Sequence, residues 1–171
     1  MIKPILSTYK ILKDKVFDFD IDESWIEWAV EMMQAGFQVE SLYQLAGISK
    51  PFNQFELQEL TNSVLQDLKL EFTDKEKVVR DYVYHIISNA VDNPKLYIET
   101  LREINNIYID LNMEQEYTQF HLLYFAKSDL LETENQWYWD GANQTNIDMI
   151  IKEQFDIWKM KFELNRKPFQ N

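Results

Sequence analysis

The sequence predicts an all-α fold, an irregular bundle of seven or eight helices with no significant sheet. Three observations lead there. The 171 residues include only three glycines and four prolines, a scarcity that favours helices joined by short connections. Apolar residues recur at spacings of three and four in one segment after another, the one-sided stripe of an amphipathic helix. Capping signatures stand in front of several of those stripes, whereas only one stretch alternates as a strand would.

Taken in order, Ile5, Leu6, Tyr9 and Leu12 predict a short first helix. Phe17, Phe19 and Ile21 then alternate with Asp18, Asp20 and Asp22, a short extended pattern with no second run to pair with it. Ser24 and Glu27 have the reciprocal capping spacing and Gly36 supplies a left-handed stop. Between them the segment is apolar on most faces (Trp25, Ile26, Trp28, Ala29, Val30, Met32, Met33), so this helix should be central, with Glu27 and Glu31 on its wet side. A short helix around Val39 to Ala46 ends at Gly47.

Asn53, with Glu56 three residues on, is the clearest helix start in the chain, and Phe52 and Leu57 occupy the two positions of a hydrophobic staple. Leu57, Leu60, Val64 and Leu68 continue its buried face. Thr73 and Glu76 repeat the capping spacing ahead of Val79, Tyr82, Val83, Ile86 and Ala90. Asn93-Pro94 reads as a cap followed by proline at the first helical position, leading into the stripe Leu101, Ile104, Tyr108 and Leu111. Asn112 breaks that helix before another from about Glu114 to Leu131, and Thr145 with Asp148 caps the long last one. The expected interior comprises Trp25, Val30, Leu60, Val64, Tyr82, Ile86, Leu101, Ile104, Leu123, Ile151 and Phe155. No repeat period emerges. The expectation is a single helical domain over 1–171, with 1–22 as a candidate appendage and 165–171, marked by Pro168, as a tail.

Hydrophobic content of 46%, including 15% aromatics, is ample for a packed core and argues against disorder. With no cysteine, disulfides, thiolate metal sites and cysteine nucleophiles are excluded. Met1 to Leu6 lacks the apolar run and cleavage site of a signal peptide, and no stretch reaches the length of a membrane span. A cytoplasmic protein is the expectation.

Catalytic constellations are missing. A di-iron helical protein needs Glu-x-x-His on two helices, but the residue three before His85 is Tyr82 and three before His121 is Thr118. His-Glu-x-x-His, the phosphate loop, Gly-x-Gly-x-x-Gly and Gly-x-Ser-x-Gly are all absent. Asp81 and His85 lie one helical turn apart, an arrangement that is usually structural. His121 reads as a partly buried spacer between Tyr117 and Tyr124. No cofactor, no metal site and no enzymatic activity are expected.

The net charge is −12, and it is concentrated. Residues 14–40 carry eight acids and only Lys15, and residues 110–140 carry seven acids and only Lys127. The remainder is nearly balanced. Such a surface repels nucleic-acid phosphates and anionic lipids, and it can steer a basic partner; it also maintains solubility without any partner. Within the second segment stands Gln136-Trp137-Tyr138-Trp139-Asp140-Gly141-Ala142, a connection between two helices. Three consecutive large aromatics cannot all enter one core from a short loop. Either the rings cap the flanking helix ends, or some anchor the loop while another faces a partner.

Two stretches together resemble a known group. One is Leu45-Ala46-Gly47-Ile48 followed by Pro51, Asn53, Phe55 and Glu56; the other is Gln136-Trp137-Tyr138-Trp139, then Gly141-Ala142 and Asn146-Ile147-Asp148. They are similar to a family of small, acidic, all-helical bacterial proteins, some of which look like immunity or antitoxin partners of polymorphic toxins. The likeness runs from about Trp25 to Trp158. It implies the helical fold and a non-catalytic protein-binding role, and it brings no catalytic residues.

The expected function is therefore an immunity-type inhibitor that masks a basic protein partner through an acidic face. The expected contact residues are Trp137, Tyr138, Trp139 and Asp140, with Asp129, Glu132, Glu134, Glu27 and Glu31. A structural or regulatory subunit of a bacterial complex is the alternative, and an enzyme or metal-binding protein a further one.

Overall fold

The computed structural model describes residues 5–166, so residues 1–4 and the tail from 167, including Pro168, lie outside the described residues. The described residues form eight α-helices and no strand. In chain order these are α1 (Ser7–Val16), α2 (Glu23–Gln34), α3 (Glu40–Ala46), α4 (Gln54–Asp67), α5 (Lys75–Ala90), α6 (Tyr97–Asp110), α7 (Thr118–Glu132) and α8 (Ile147–Asn165). Single 3-10 turns, Pro94–Leu96 and Gln115–Tyr117, lead into α6 and α7. None of the described helices is long and apolar enough to cross a membrane. The chain divides into two compact units, Met1–Tyr82 and Val83–Asn171.

The first unit is organised on α2. Trp25, Trp28, Ala29 and Met32 are buried, a spacing that places Val30 on the opposite side of the helix. Val30 is accordingly 40% exposed rather than inside. The Trp25 and Trp28 rings meet edge to face at 5.8 Å, and Trp28 Nε1–H donates to Thr8 Oγ1 at 2.9 Å, which satisfies the buried indole. The α2 cap is Asp22, not Ser24: its side chain accepts the Ser24 amide at 2.9 Å and also the Ser24 hydroxyl.

The face of α1 differs from the one expected. Thr8, Ile11 and Lys15 are buried, whereas Leu6 stands 68% exposed just ahead of the helix. The alternating stretch after α1 makes no strand, for a physical reason. Its backbone groups are met by glutamine side chains of α4 in place of a second strand. Gln54 accepts from Ile21 N at 2.8 Å and donates to Ile21 O at 2.9 Å, and Gln58 donates to Phe19 O at 3.2 Å. Ile21 is thereby seated in the core.

On α4, Asn53 accepts the Glu56 amide as anticipated, at 3.5 Å, and Phe52 packs against the core that includes Leu57. The buried face is Leu57, Thr61, Val64 and Leu65, so Leu60 is only half-buried at its margin. The start of α5 is held by Asp74, whose carboxylate accepts the Lys77 amide at 3.0 Å, and not by Thr73. Thr73 instead gives its amide and hydroxyl to Glu71.

In the second unit Val83, Ile87, Ala90 and Val91 are buried, and the interior residue is Ile87 rather than Ile86. Asn93 makes no side-chain cap, and Pro94 opens the 3-10 turn instead of α6 itself. An aromatic core follows. Phe155 of α8 meets Tyr97 edge to face at 5.4 Å and Phe120 at 5.7 Å, and Trp158 packs on Phe120 and Tyr117. Asn112 does end α6, at φ 54°. Leu101, Ile104, Leu123 and Ile151 are fully buried.

Candidate functional site

The segment between α7 and α8 is held by several of its amide side chains, which hydrogen-bond to backbone within it and at the end of α7. Gln136 is the clasp. Its Oε1 accepts from Tyr138 N and Trp139 N, each at 2.8 Å, and its Nε2 donates to Trp139 O at 2.6 Å and Ala142 O at 3.0 Å. Gln144 Nε2 donates to Leu130 O and Thr133 O, meeting carbonyls that the end of α7 leaves open. Asn146 donates to Gly141 O at 2.9 Å and accepts from Asn143 N at 2.8 Å. Gly141, at φ 76°, allows the turn between them.

The start of α8 also departs from the expected Thr145–Asp148 cap. Asn143 Oδ1 accepts the Thr145 amide at 2.9 Å and the Thr145 hydroxyl at 2.6 Å. Asp148 is engaged elsewhere, accepting Lys127 Nζ at 2.7 Å.

This frame sorts the three rings. Tyr138 lies flat against Phe125 of α7, with ring centroids 5.2 Å apart and planes at 29°. Phe125 in turn meets His121 edge to face at 5.1 Å, and His121 lies 4.6 Å from the Tyr108 ring of α6. His121 Nδ1–H donates to Asn105 Oδ1 at 2.7 Å, and Asn105 is buried. A continuous brace thus runs from the α6–α7 interior to the loop. Trp139 is half-buried, its backbone gripped by Gln136. Trp137 is different: among the described residues no ring packs on its side chain, and it is 91% exposed.

In the sequence on either side of Trp137, between Lys127 and Lys152, the charge is of one sign. Glu132, Glu134 and Asp140 are exposed and Asp129 is half-buried. None of these four has a cationic partner within ion-pair distance among the described residues. Trp137, Tyr138, Trp139, Asp140, Asp129, Glu132 and Glu134 all belong to the second unit. Glu27 and Glu31 lie on α2 of the first unit, both exposed, with Glu31 accepting the Ser7 hydroxyl at 2.6 Å.

Other chemistry-bearing groups are modest. Among the described residues no group of three or more His, Asp or Glu side chains is arranged to hold a metal ion. Asp81 pairs with Lys77 at 3.1 Å, while burial pulls the His85 pKa below its ordinary value. In the first unit an open cleft of about 340 Å³ is lined by Lys15, Asp18, Gln58, Asn62, Thr73 and Lys75 among others. Lys15 donates to Gln58 O, Gln58 Oε1 and Thr61 Oγ1, and burial lowers its pKa against the opposing charge of Asp18. The sequence showed Lys15 only as a lone base in an acidic stretch. It gave no sign of Gln136 as a clasp or Phe125 as a brace, since both roles depend on contacts that spacing does not reveal.

No family model, curated protein or solved structure matches the chain.

Proposed function

We propose that this protein is a non-catalytic protein-binding module of the inhibitor or immunity kind, which masks a basic protein through the loop between α7 and α8. One observation carries the reading: Trp137 is held out, 91% exposed, on a loop whose backbone is clasped by Gln136. An exposed tryptophan in a mobile loop would need ordering on contact. Here the backbone that follows it, at Tyr138 and Trp139, is already clasped in the free protein, which lowers the entropic cost of docking. Tryptophan is also the residue type in which interface energy most often concentrates. The unpaired carboxylates of Glu132, Glu134 and Asp140 in the same stretch of chain favour a basic partner and speed its encounter.

The test is binding to the protein encoded by the adjacent reading frame, measured by calorimetry with the wild type and Trp137→Ala. Tight association that weakens at least about thirtyfold in the variant, the loss of about 2 kcal/mol expected of a hot spot, supports the reading. An unchanged affinity removes the loop from the interface.

A further inference from the structure

We infer that the group Trp137 receives is an arginine side chain of the basic partner, stacked on the indole and held by the carboxylate of Asp140 or Glu134. This rests on the docking role proposed above and names its chemistry.

The first support is how the protein treats its other rings. Lys13 lies over Phe19 and Tyr82, Lys15 over Trp25, Lys50 over Phe52, Lys75 over Phe17, Lys159 over Tyr84 and Arg166 over Phe162. Trp137 carries the most exposed ring among the large hydrophobic side chains described, and no cation among the described residues covers it. Indole has the strongest attraction for a cation among the aromatic side chains. Its face is therefore the most open cation seat among the exposed rings, ahead of Phe55 and Tyr43, over which no described cation lies either.

The second support is local charge. Between Lys127 and Lys152 the sequence holds Asp129, Glu132, Glu134, Asp140 and Asp148 and no basic residue. Lys127 is itself neutralised by Asp148. No side chain of this segment can fill the seat, and an incoming cation meets free carboxylates. An anionic partner such as a nucleic acid or an acidic membrane meets the same field as repulsion.

The third support is geometry. Asp140 belongs to the same clasped turn as Trp137, because the Gln136 amide bonds to Trp139 O and Ala142 O on either side of it. A planar guanidinium can lie on the indole while its N–H fork reaches a neighbouring carboxylate. An ammonium has one charge centre and no plane to stack. The site should therefore prefer arginine to lysine at equal charge.

Hexa-arginine and hexalysine peptides serve as probes, titrated into the intact protein at low salt. Binding is followed by fluorescence anisotropy and by the indole N–H resonance of Trp137. The expected result is hexa-arginine bound more tightly by roughly twofold or more, because the guanidinium adds stacking and a carboxylate fork to a cation–π contact that lysine also makes, with the Trp137 resonance shifted. Trp137→Leu keeps an apolar side chain without the ring quadrupole and should abolish the preference while leaving residual electrostatic binding. Asp140→Asn should weaken hexa-arginine the more. Both positions are exposed, so folding is expected to survive, and circular dichroism checks it. Equal affinities for the two peptides, or a preference that persists in Trp137→Leu, overturn the arginine assignment. If the adjacent-frame protein nevertheless loses affinity for Trp137→Ala, docking stands and only the arginine is wrong. Sedimentation showing a dimer that Trp137→Ala dissociates would assign the seat to a second copy of the chain and overturn the inference as well.

Discussion

The Tyr138 ring lies flat on Phe125, 5.2 Å away, while its neighbour Trp137 points into solvent. Adjacent residues of one loop thus have opposite roles. Tyr138→Ala removes a stacked aromatic pair and should cost about 1 kcal/mol of stability. Trp137→Ala should change stability by less than about 0.5 kcal/mol, as for other surface positions without structural partners. Urea melts of the two variants check this. If Trp137→Ala proved as destabilising as Tyr138→Ala, the ring would be packing on something, and its place as the contact residue would fall.

Gln136 forms four hydrogen bonds to the backbone with one side chain. Gln136→Ala leaves the Tyr138 and Trp139 amides and the Ala142 carbonyl without this partner, while Trp139 O keeps the Ala142 amide at 3.2 Å, and should cost about 1–3 kcal/mol locally, less where water replaces it. The sharper readout is amide exchange at Tyr138 and Trp139, which should accelerate strongly. Gln136→Glu keeps both acceptor bonds but cannot donate to Trp139 O or Ala142 O. It should protect the two amides yet free the Gly141 end of the loop. Unchanged exchange in the alanine variant would show that the loop is held by something other than the clasp.

The core of the first unit separates two leucines five residues apart on α4. Leu65 is fully buried and Leu60 half-buried. Leu65→Ala should cost about 2–5 kcal/mol, and Leu60→Ala distinctly less. Chemical denaturation of both variants decides it, and a larger loss at Leu60 would reverse the assignment of the α4 face.

That contrast also shows what spacing alone can read. An all-helical bundle of seven or eight helices was legible, and the described residues form eight with no strand, because apolar periodicity and cap spacing are local. Asn53 as a cap, Gly36 as a left-handed stop (φ 95°) and Asn112 as a breaker were legible for the same reason. The errors come where several local solutions compete. Asp22 and Asp74 cap in place of Ser24 and Thr73, accepting the Ser24 and Lys77 amides, so each helix is capped from a different residue than the Ser/Thr spacing indicated. Val30, Leu60 and Ile86 were placed inside because a helix with excess apolar residues does not announce which side faces the core. For the loop, the sequence supplied the two rival arrangements of the rings. The choice depended on Phe125, thirteen residues before Tyr138, and on a glutamine whose amide chose backbone partners.

The remaining prediction concerns pH. Burial lowers the pKa of half-buried His85 from its ordinary 6.5, because the charged imidazolium is the form that burial disfavours. The unfolded chain therefore takes up its proton first as pH falls. Between 6.5 and the lowered folded value the unfolded state binds more protons at this site, so stability rises with pH across that window. As pH falls, the His85 contribution is complete above about 6.5, the ordinary value of the free side chain, and is lost progressively below it. His85→Gln cannot titrate. Its stability relative to the wild type should therefore improve as pH drops from 7.5 to 5, while carboxylate titrations common to both proteins cancel. The measurement is a pair of urea-denaturation series across that range. A wild-type-minus-variant difference that stays flat would show that His85 is solvated as readily in the folded chain as in the unfolded one.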